Sequence, residues 1–367
     1  MVKSKIGLVG LLIILYLSGC GTKDTVIVQE KEAWNYVDTE ISGIPENAYV
    51  SAVASSGIYY EVENSTDYST FEPTAEYEFH FLDYSGNDQM LWRKDGINTY
   101  NRFDIGDNML LCHVMAEGME IIKFSPDGSA EILFTQNAPQ FPFIQSYENY
   151  IVSIRNNFVE DSEGSRMYEN VLILQDTKTN EEKVIYRVLW DNEIARGEDL
   201  GCVSVNDKTV CFTVNKFHEG EEREYILFLY DIDKEEIVEE IVLPTRAYYA
   251  AYGGDKAGLL LSETDDNRFM EEAGSVGYIK DGAYVETAKI PLISASCMII
   301  DGKYTGSGYY FTTYKAAYFW DIKSNKIYMY DYQWDEKRCA GIFPTEDGIQ
   351  YIVKDGDSTF IRTVSVK

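Results

Sequence analysis

Short runs of alternating apolar and polar residues recur along the chain, and polar turns led by Asp or a substitute join them in pairs. Alternation with a period of two predicts strands with one buried face. The clearest pairs occupy residues 78–93, 120–134, 171–188, 226–243, 276–290 and 317–332. Their turns follow at irregular intervals of 40 to 55 residues, which indicates an array of similar units with loops of variable length.

A second predicted strand pair precedes each of these hairpins, so that each unit contains four strands. The preceding pairs occupy residues 48–62, 103–115, 143–155, 202–214, 248–262 and 297–314. Six units fit between residues 45 and 336, and the C-terminal tail supplies three further strands. The missing outer strand is available in residues 25–37, and closing a ring with it would remove exposed sheet edges. We therefore predict an all-β fold, a single β-propeller over residues 25–367 with seven blades, six or eight being the alternatives.

Two short motifs resemble known repeats. The segment FWDIKSNKI, residues 319–327, resembles the Trp-Asp hairpin of WD40-like repeats, and FSPDG, residues 124–128, resembles bacterial propeller repeats of the TolB type. Both resemblances imply the propeller architecture and carry no expectation about activity.

The N-terminus has the pattern of a targeting segment. Lys3 and Lys5 precede an apolar run of about a dozen residues, too short for a membrane-spanning helix, which needs roughly 20. The run ends in Leu17-Ser18-Gly19-Cys20, which resembles the lipobox of bacterial lipoproteins. The resemblance implies a signal peptide over residues 1–19, a diacylglyceryl group on Cys20 and a tether over residues 20–24. The expected location is the extracytoplasmic face of the cell membrane; the alternative is a cytosolic protein with a buried N-terminal helix.

Charge and composition narrow the classes of partner. The 367 residues carry a formal charge of −29, which repels phosphate backbones and argues against nucleic acid as a partner. With 45% hydrophobic residues the chain can build a substantial core, and its 29 Tyr and 17 Phe favour strands. We expect a monomer that meets a protein or glycan partner outside the cytoplasm.

The cysteines and histidines indicate neither a metal site nor a cofactor. Besides Cys20 the chain has Cys112, Cys202, Cys211, Cys297 and Cys339, and no pair has CxxC spacing. A turn at Asn206-Asp207 would place Cys202 opposite Cys211, within reach of a disulfide. The alternative is that these cysteines are small buried hydrophobic residues.

Arginines and aromatic residues concentrate in the predicted long loops, 63–76, 156–169, 215–224 and 263–275, and in the links between units. Because Arg can bind carboxylate or phosphate with a forked pair of donors, these loops are candidates for ligand binding. The candidate ligand-binding residues are Arg166, Arg196, Arg223, Arg246, Arg268, Arg338, Trp190 and Trp334. The alternative is that the arginines only pair with the many acidic residues of the same loops.

Sequence motifs of common enzymes are missing: there is no G-x-S-x-G, no H-E-x-x-H, no P-loop and no dinucleotide fingerprint. No catalytic residue can be named. We therefore expect a non-catalytic protein that binds a protein, a glycan or an anionic ligand through its loop face. The alternative is a carbohydrate-active propeller enzyme of the cell surface, a glycosidase or lyase, which would need a carboxylate pair or a base with a cation.

Overall fold

The computed structural model describes residues 26–67, 74–95, 99–105, 107–115, 118–138, 142–160, 164, 166–191, 196–206, 208–217, 222–253, 256–262, 274–290, 299–313, 316–335, 338–345 and 347–367. The predicted signal peptide, Cys20 and the tether lie outside these ranges. Across the described residues, no helix is long and apolar enough to cross a membrane. Within these ranges, the regular structure consists of strands apart from two short 3₁₀ helices, Lys31–Ala33 and Tyr332–Trp334.

The strands form seven meanders, called blades 1 to 7. Two strands precede blade 1: β1 (Val26–Val28) and β2 (Trp34–Ile41). Blade 1 contains β3 (Ala48–Val53), β4 (Gly57–Asp67), β5 (Thr74–Asp83) and β6 (Asp88–Asp95). Blade 2 contains β7 (Thr99–Ile105), β8 (Asn108–Met115), β9 (Gly118–Phe124) and β10 (Ala130–Gln136). Blade 3 contains β11 (Phe143–Tyr147), β12 (Tyr150–Glu160), β13 (Arg166–Asp176) and β14 (Glu181–Asp191).

Blades 4 to 7 follow the same order. Blade 4 contains β15 (Arg196–Asn206), β16 (Thr209–Phe217), β17 (Glu224–Asp231) and β18 (Glu236–Leu243). Blade 5 contains β19 (Ala247–Gly253), β20 (Lys256–Ser262), β21 (Gly274–Lys280) and β22 (Ala283–Ile290). Blade 6 contains β23 (Ile299–Tyr304), β24 (Gly308–Thr313), β25 (Ala316–Asp321) and β26 (Lys326–Asp331), and blade 7 contains β27 (Arg338–Pro344), β28 (Ile349–Asp355) and β29 (Ser358–Val366).

The seven innermost strands form a closed ring. Each of β3, β7, β11, β15, β19 and β23 contacts the innermost strand of the next blade, and β27 contacts β3. This topology is that of a seven-bladed β-propeller, and it confirms the predicted fold class. Blades 3 and 4 share one sheet, because β14 and β15 pair where Trp190 meets Gly197.

Strands from the two ends of the chain pair to close the ring, but the N-terminal strand that does so begins and ends later than predicted. β2 pairs antiparallel with β29, from Trp34–Val366 to Ile41–Thr359, and supplies the outer strand of blade 7. The prediction of residues 25–37 is therefore correct only in its last part. The first part, β1, pairs in parallel with β26 of blade 6. Trp34 and Ile41 explain the difference: both are buried at the ends of β2, where they anchor it between neighbouring blades.

The core is divided among the seven interfaces between blades, each of which contains one hydrophobic cluster. Strand alternation produces this division. In β16, Val210, Phe212 and Val214 pack in the cluster between blades 3 and 4, whereas Cys211 packs between blades 4 and 5. Middle strands are thus apolar on both faces, and they bind the blades together.

The prediction that Cys202 lies opposite Cys211 is wrong, because β15 pairs with β16 in a different register. The β15–β16 turn is closed by Asn206 and Thr209, with Lys208 at a positive φ of 61°, so that Ser204 lies opposite Cys211. Both thiols are free and buried, as is that of Cys112. Cys297 and the Cys339 side chain lie outside the described part of the structure.

Polar turns have the predicted Asp geometry. The Asp83 carboxylate accepts hydrogen bonds from the backbone N–H of Ser85 and of Asn87, each at 2.9 Å, and Asp176 and Asp321 accept from the N–H two residues on. Hydrogen bonds from the Ser85 hydroxyl and the Asn87 side-chain amide, and to a smaller extent these backbone bonds, lower the pKa of Asp83 to about 2. These turns, with those between the first two strands of each blade, form one face of the ring, called the turn face.

The opposite face, called the loop face, carries the links between blades and the ends of the β4–β5, β12–β13 and β16–β17 hairpins. Much of what was predicted as loop is strand here: β12 and β13 stay paired as far as Glu160 and Arg166, and β4 and β5 as far as Asp67 and Thr74. Most of residues 263–275 lie outside the described ranges. The long hairpins extend the walls of blades 3 and 4 and create a recess between them.

Candidate functional site

A pocket of about 360 Å³ lies on the loop face between blades 3 and 4. It is called the interblade pocket, and it is lined by Tyr168, Asn170, Trp190, Asp199, Phe217, Arg223 and Arg246. Blade 3 supplies the first three from β13 and β14, and blade 4 and the link after it supply the rest. Because outer strands of blade 3 form one wall, the pocket lies off the axis of the ring.

Gly197 allows the chain to turn from blade 3 into blade 4 beside this pocket. Its φ is +127°, and a Cβ added there would lie 2.4 Å from the carbonyl oxygen of Leu189. Only glycine fits such a close approach at a positive φ. The result is the β14–β15 pairing next to Trp190, which connects the two walls of the pocket.

Aromatic rings form the sides of the pocket. The rings of Trp190 and Phe217 meet edge to face, with centroids 5.2 Å apart, and the Arg223 guanidinium lies 4.8 Å from the centroid of Phe217. Tyr168 packs on Phe158, with centroids 4.7 Å apart. Large rings held by such contacts present apolar surfaces of defined orientation.

The floor of the pocket is polar and largely buried. The Asn170 side chain donates from Nδ2 to Oδ1 of Asp199 over 2.7 Å. Asn170 is only 4% exposed, and its Oδ1 has no hydrogen-bond partner among the described residues. An unsatisfied buried acceptor of this kind costs about 1–3 kcal/mol.

Asp199 has a perturbed carboxyl group. Burial raises its pKa, and this effect outweighs the opposing effects of the Arg246 charge and of the hydrogen bonds from Asn170 and the Leu200 backbone. Its strand neighbour across the β15–β16 pairing is Asn215, which is fully buried and whose two polar side-chain atoms also lack partners within the described structure. Asn170 and Asp199 line the pocket, whereas Asn215 lies outside its lining.

The rim carries positive charge. The Arg223 and Arg246 side chains are both exposed, and Asp199 is the one carboxylate among the described lining residues. The two arginines are the two basic side chains among the described lining residues. Two forked cations above an aromatic and polar cavity form an arrangement suited to an anionic group.

The structure brings Trp190, Arg223 and Arg246 of the predicted set together. Arg166 lies on the neighbouring hairpin with its guanidinium 3.4 Å from the centroid of the Phe158 ring. The Arg196 backbone pairs with Asp191. The Arg196 and Arg338 side chains and the whole of Arg268 lie outside what the structure describes.

One finding corrects the predicted set, and a second concerns an arginine outside it. Trp334 packs edge to face on Tyr330, with centroids 5.3 Å apart, in the core between blades 6 and 7. Arg93, another loop-face arginine, pairs with Glu76 at 2.5 Å and with Glu78 at 3.4 Å, as the alternative of local charge pairing predicts. Charge pairing within loops thus applies to some arginines of this face.

Sequence reasoning missed Asn170 and Asp199 as site residues, because both lie in strands, whereas the candidate residues were those of predicted loops and links. A usable signal was present for Asn170, which is a polar residue at the start of the apolar run Val171–Leu174 in β13. No group of three or more His, Cys, Asp or Glu side chains in the described residues could hold a metal ion.

Comparison with known proteins finds similarity in fold alone. No protein-family model matches the sequence, and a search of curated proteins finds no match. The β-propeller domain of the Trilobed protease from Pyrococcus furiosus is 12% identical, with a TM-score of 0.46 over 73% of this chain and 82% of that chain. TolB from Acinetobacter baumannii is 11% identical, with a TM-score of 0.39 over 83% and 80%, respectively.

The Neurospora crassa Pan2 WD40 domain is 8% identical, with a TM-score of 0.44 over 92% of this chain and 97% of that chain. At these identities and scores the similarities carry no argument about activity or ligand. The assignment of the fold rests on the strand topology described above.

Proposed function

We propose that this chain is a lipid-anchored β-propeller on the extracytoplasmic face of a cell membrane, and that it binds an anionic ligand in the interblade pocket without catalysis. The observation that carries the binding proposal is the convergence of Trp190, Arg223 and Arg246 on one cavity. Pockets for small ligands combine apolar walls with a few polar groups that fix orientation, and this one has both. Its volume suits a small molecule or one segment of a polymer.

Binding can be tested with protein lacking residues 1–20, applied to an array of acidic glycans, neutral glycans and acidic peptides. We expect retention of acidic compounds by the unchanged protein and at least a tenfold loss in an Arg223→Ala, Arg246→Ala double variant. Arg93→Ala is the matched control, since it removes a loop-face arginine that is paired with Glu76. Equal binding by the double variant would show that the pocket is not the site.

The membrane anchor is supported by the lipobox-like sequence ending at Cys20. One acyl chain binds membranes marginally, whereas two or more anchor stably. In a bacterial host fed an alkyne fatty acid, we expect label on the protein and recovery in the membrane fraction. A Cys20→Ser variant is expected to lose both. Label retained by that variant would contradict lipidation at Cys20.

A cell-surface carbohydrate-active enzyme is the second candidate, and the raised pKa of Asp199 favours it, because a protonated carboxyl can act as a general acid. Glycoside hydrolysis usually needs a second carboxylate, and the described lining supplies only Asp199. Release of reducing ends from acidic glycans, abolished by Asp199→Asn, would favour the enzyme. Binding without turnover would favour the non-catalytic proposal.

A further inference from the structure

We infer that the anionic ligand is an acidic sugar, a hydroxylated ring that bears a carboxylate; this inference rests on the function proposed above. Three parts of the interblade pocket support it, and each requires a different chemical property of the ligand.

The rim requires a planar anion. Arg223 and Arg246 approach the cavity from the β16–β17 hairpin end and from the link after β18. Guanidinium groups present donors in a rigid fork that matches a carboxylate with two parallel hydrogen bonds. A neutral sugar has no carboxylate to accept from such a fork.

The floor of the pocket favours a ligand that donates hydrogen bonds. The Asn170 Oδ1 atom is buried without a partner in the described structure, and the Asp199 carboxyl lies beside it, bonded to Asn170 Nδ2. A hydroxyl group can donate to the Asp199 carboxyl, whereas a fully ionised inorganic anion cannot. Burial disfavours the ionised form of Asp199 and raises its pKa, so a neutral hydroxyl suits this floor better than an ammonium group does.

The walls require flat apolar faces. Tyr168 and Trp190 are cross-strand neighbours on β13 and β14, and Phe217 meets Trp190 from the other blade. Sugar rings have C–H faces that pack on such rings while their hydroxyl groups point to the edges. A pocket of about 360 Å³ is at the small end of the usual range of about 300–1,000 Å³, which suits one or two rings.

The test uses isothermal titration calorimetry with three acidic probes, namely oligosaccharides of galacturonate, of glucuronate and of N-acetylneuraminate. Controls are a galactose oligosaccharide, which has the ring without the carboxylate, and citrate, which has carboxylates without the ring. We expect one acidic oligosaccharide to bind at least tenfold more tightly than the galactose oligosaccharide and citrate.

Single substitutions in the pocket show which side chains contribute to binding of the acidic probe. Arg246→Lys keeps the charge but loses the fork, and we expect at least a tenfold loss for the acidic probe. Asn170→Ser removes the amide that donates to the Asp199 carboxyl and should weaken the same probe, while Arg93→Ala should not change it. Circular dichroism and thermal melting of each variant separate a lost contact from a lost fold.

The outcomes are distinct. Equal affinity for the neutral oligosaccharide would overturn the inference. Binding of citrate or acidic peptides but of no sugar would overturn it as well, while leaving the proposed anion-binding function intact. Failure to bind any anion would overturn both.

A separate observation concerns the orientation of the ring on the membrane. β1 runs parallel to β26, and Val26 lies opposite Lys326, the residue at which β26 leaves the turn face. The chain therefore enters the fold at the turn face. We propose that the turn face lies toward the membrane and that the interblade pocket opens away from it.

Chain length limits the alternatives. Six residue steps separate Cys20 from Val26, and a chain reaches at most about 3.5 Å per residue, so the tether spans about 20 Å. An eleven-residue strand such as β12 spans about 35 Å, which places the two faces well apart. A short tether at one face thus keeps the other face remote from the lipid surface.

This orientation can be measured with lipidated protein in vesicles that carry an energy-transfer acceptor on their headgroups. Donor dyes are placed at Ser85→Cys on the turn face or at Glu222→Cys on the loop face, in a background with Cys297 and Cys339 changed to Ser. We expect the Ser85 site to show the higher transfer. Insertion of 20 Gly/Ser residues after Asp24 should reduce the difference. Equal transfer from both sites with the natural tether, or higher transfer from the Glu222 site, would overturn the proposal.

Discussion

Arg362, in the last strand of the chain, donates from Nε and Nη2 to the two carboxylate oxygens of Asp38 in β2, both over 2.6 Å. Its third donor group, Nη1, pairs with Asp335, whose side chain is only 4% exposed. The same Asp335 accepts a hydrogen bond from the Tyr351 hydroxyl at 3.1 Å. One guanidinium thus connects the N-terminal strand, the C-terminal strand and the link from blade 6, where the ring closes.

Replacing Arg362 by Leu should destabilise the protein strongly. The change leaves the buried Asp335 carboxylate without its cation, and breaking a buried ion pair costs about 3–5 kcal/mol in the free energy of unfolding. Urea denaturation measures this cost. Arg187→Leu is the control, because Arg187 is 54% exposed in its pair with Glu169 and should contribute only about 0–1 kcal/mol. Similar losses in both variants would contradict the special role of Arg362.

Two N-terminal truncations should separate the roles of β1 and β2. Removal of residues 1–28 deletes only the three-residue strand on blade 6, and the protein should still unfold cooperatively. Removal of residues 1–41 also deletes β2, with buried Trp34 and Ile41, and exposes the edge of β29. We expect this shorter protein to aggregate or to lose its cooperative transition by thermal scanning. A stable protein without β2 would contradict the described closure.

Stability should depend on pH through Asp199. Its pKa is raised in the folded state, so its ionisation favours the unfolded chain, and the contribution of Asp199 to stability is lost as pH rises above about 4. Asp199→Asn removes this titration and keeps an oxygen that can accept from Asn170. Melting temperatures from pH 3.5 to pH 8 should therefore fall relative to those of the variant as pH rises. A constant difference would show that the Arg246 charge and the hydrogen bonds offset burial, and the opposite trend would show that they outweigh it.

Thiol reactivity should test the cysteine register. Burial raises the pKa of Cys112 to about 12 and that of Cys202 to about 11, and raises that of Cys211 as well. In protein lacking residues 1–20, with Cys297 and Cys339 changed to Ser, we expect no reaction with a thiol reagent in the native state. Three thiols should react after denaturation without reductant. One reactive thiol would reveal a bond between Cys202 and Cys211.

Much of the fold could be predicted because each blade consists of strands that follow one another in the sequence. The alternation in segments such as residues 226–243 corresponds directly to β17 and β18, and the Asp turns close as their chemistry predicts. The closure was predicted less well, since residues 25–37 contain two apolar stretches that could each pair with an edge. Only the burial of Trp34 and Ile41 against neighbouring blades selects β2 for blade 7.

The register between β15 and β16 is a second feature that the sequence did not predict correctly. The β15–β16 turn lies one residue further along than expected, which removes Cys202 from its place opposite Cys211. A two-residue turn can be drawn at either position in the sequence VNDKT, and the clusters on both faces of the strand decide between them.

The amino-acid sequence by itself determined the seven repeated strand units, their polar turns and the arginine-rich loop face, because these features depend on patterns within a few residues. Tertiary structure decided that Trp190, Arg223 and Arg246 share a cavity with Asn170 and Asp199, while Trp334 belongs to the core. Those contacts join residues that are separated by up to 76 positions, from Asn170 to Arg246. They depend on how two twisted blades pack against each other, which no local pattern encodes.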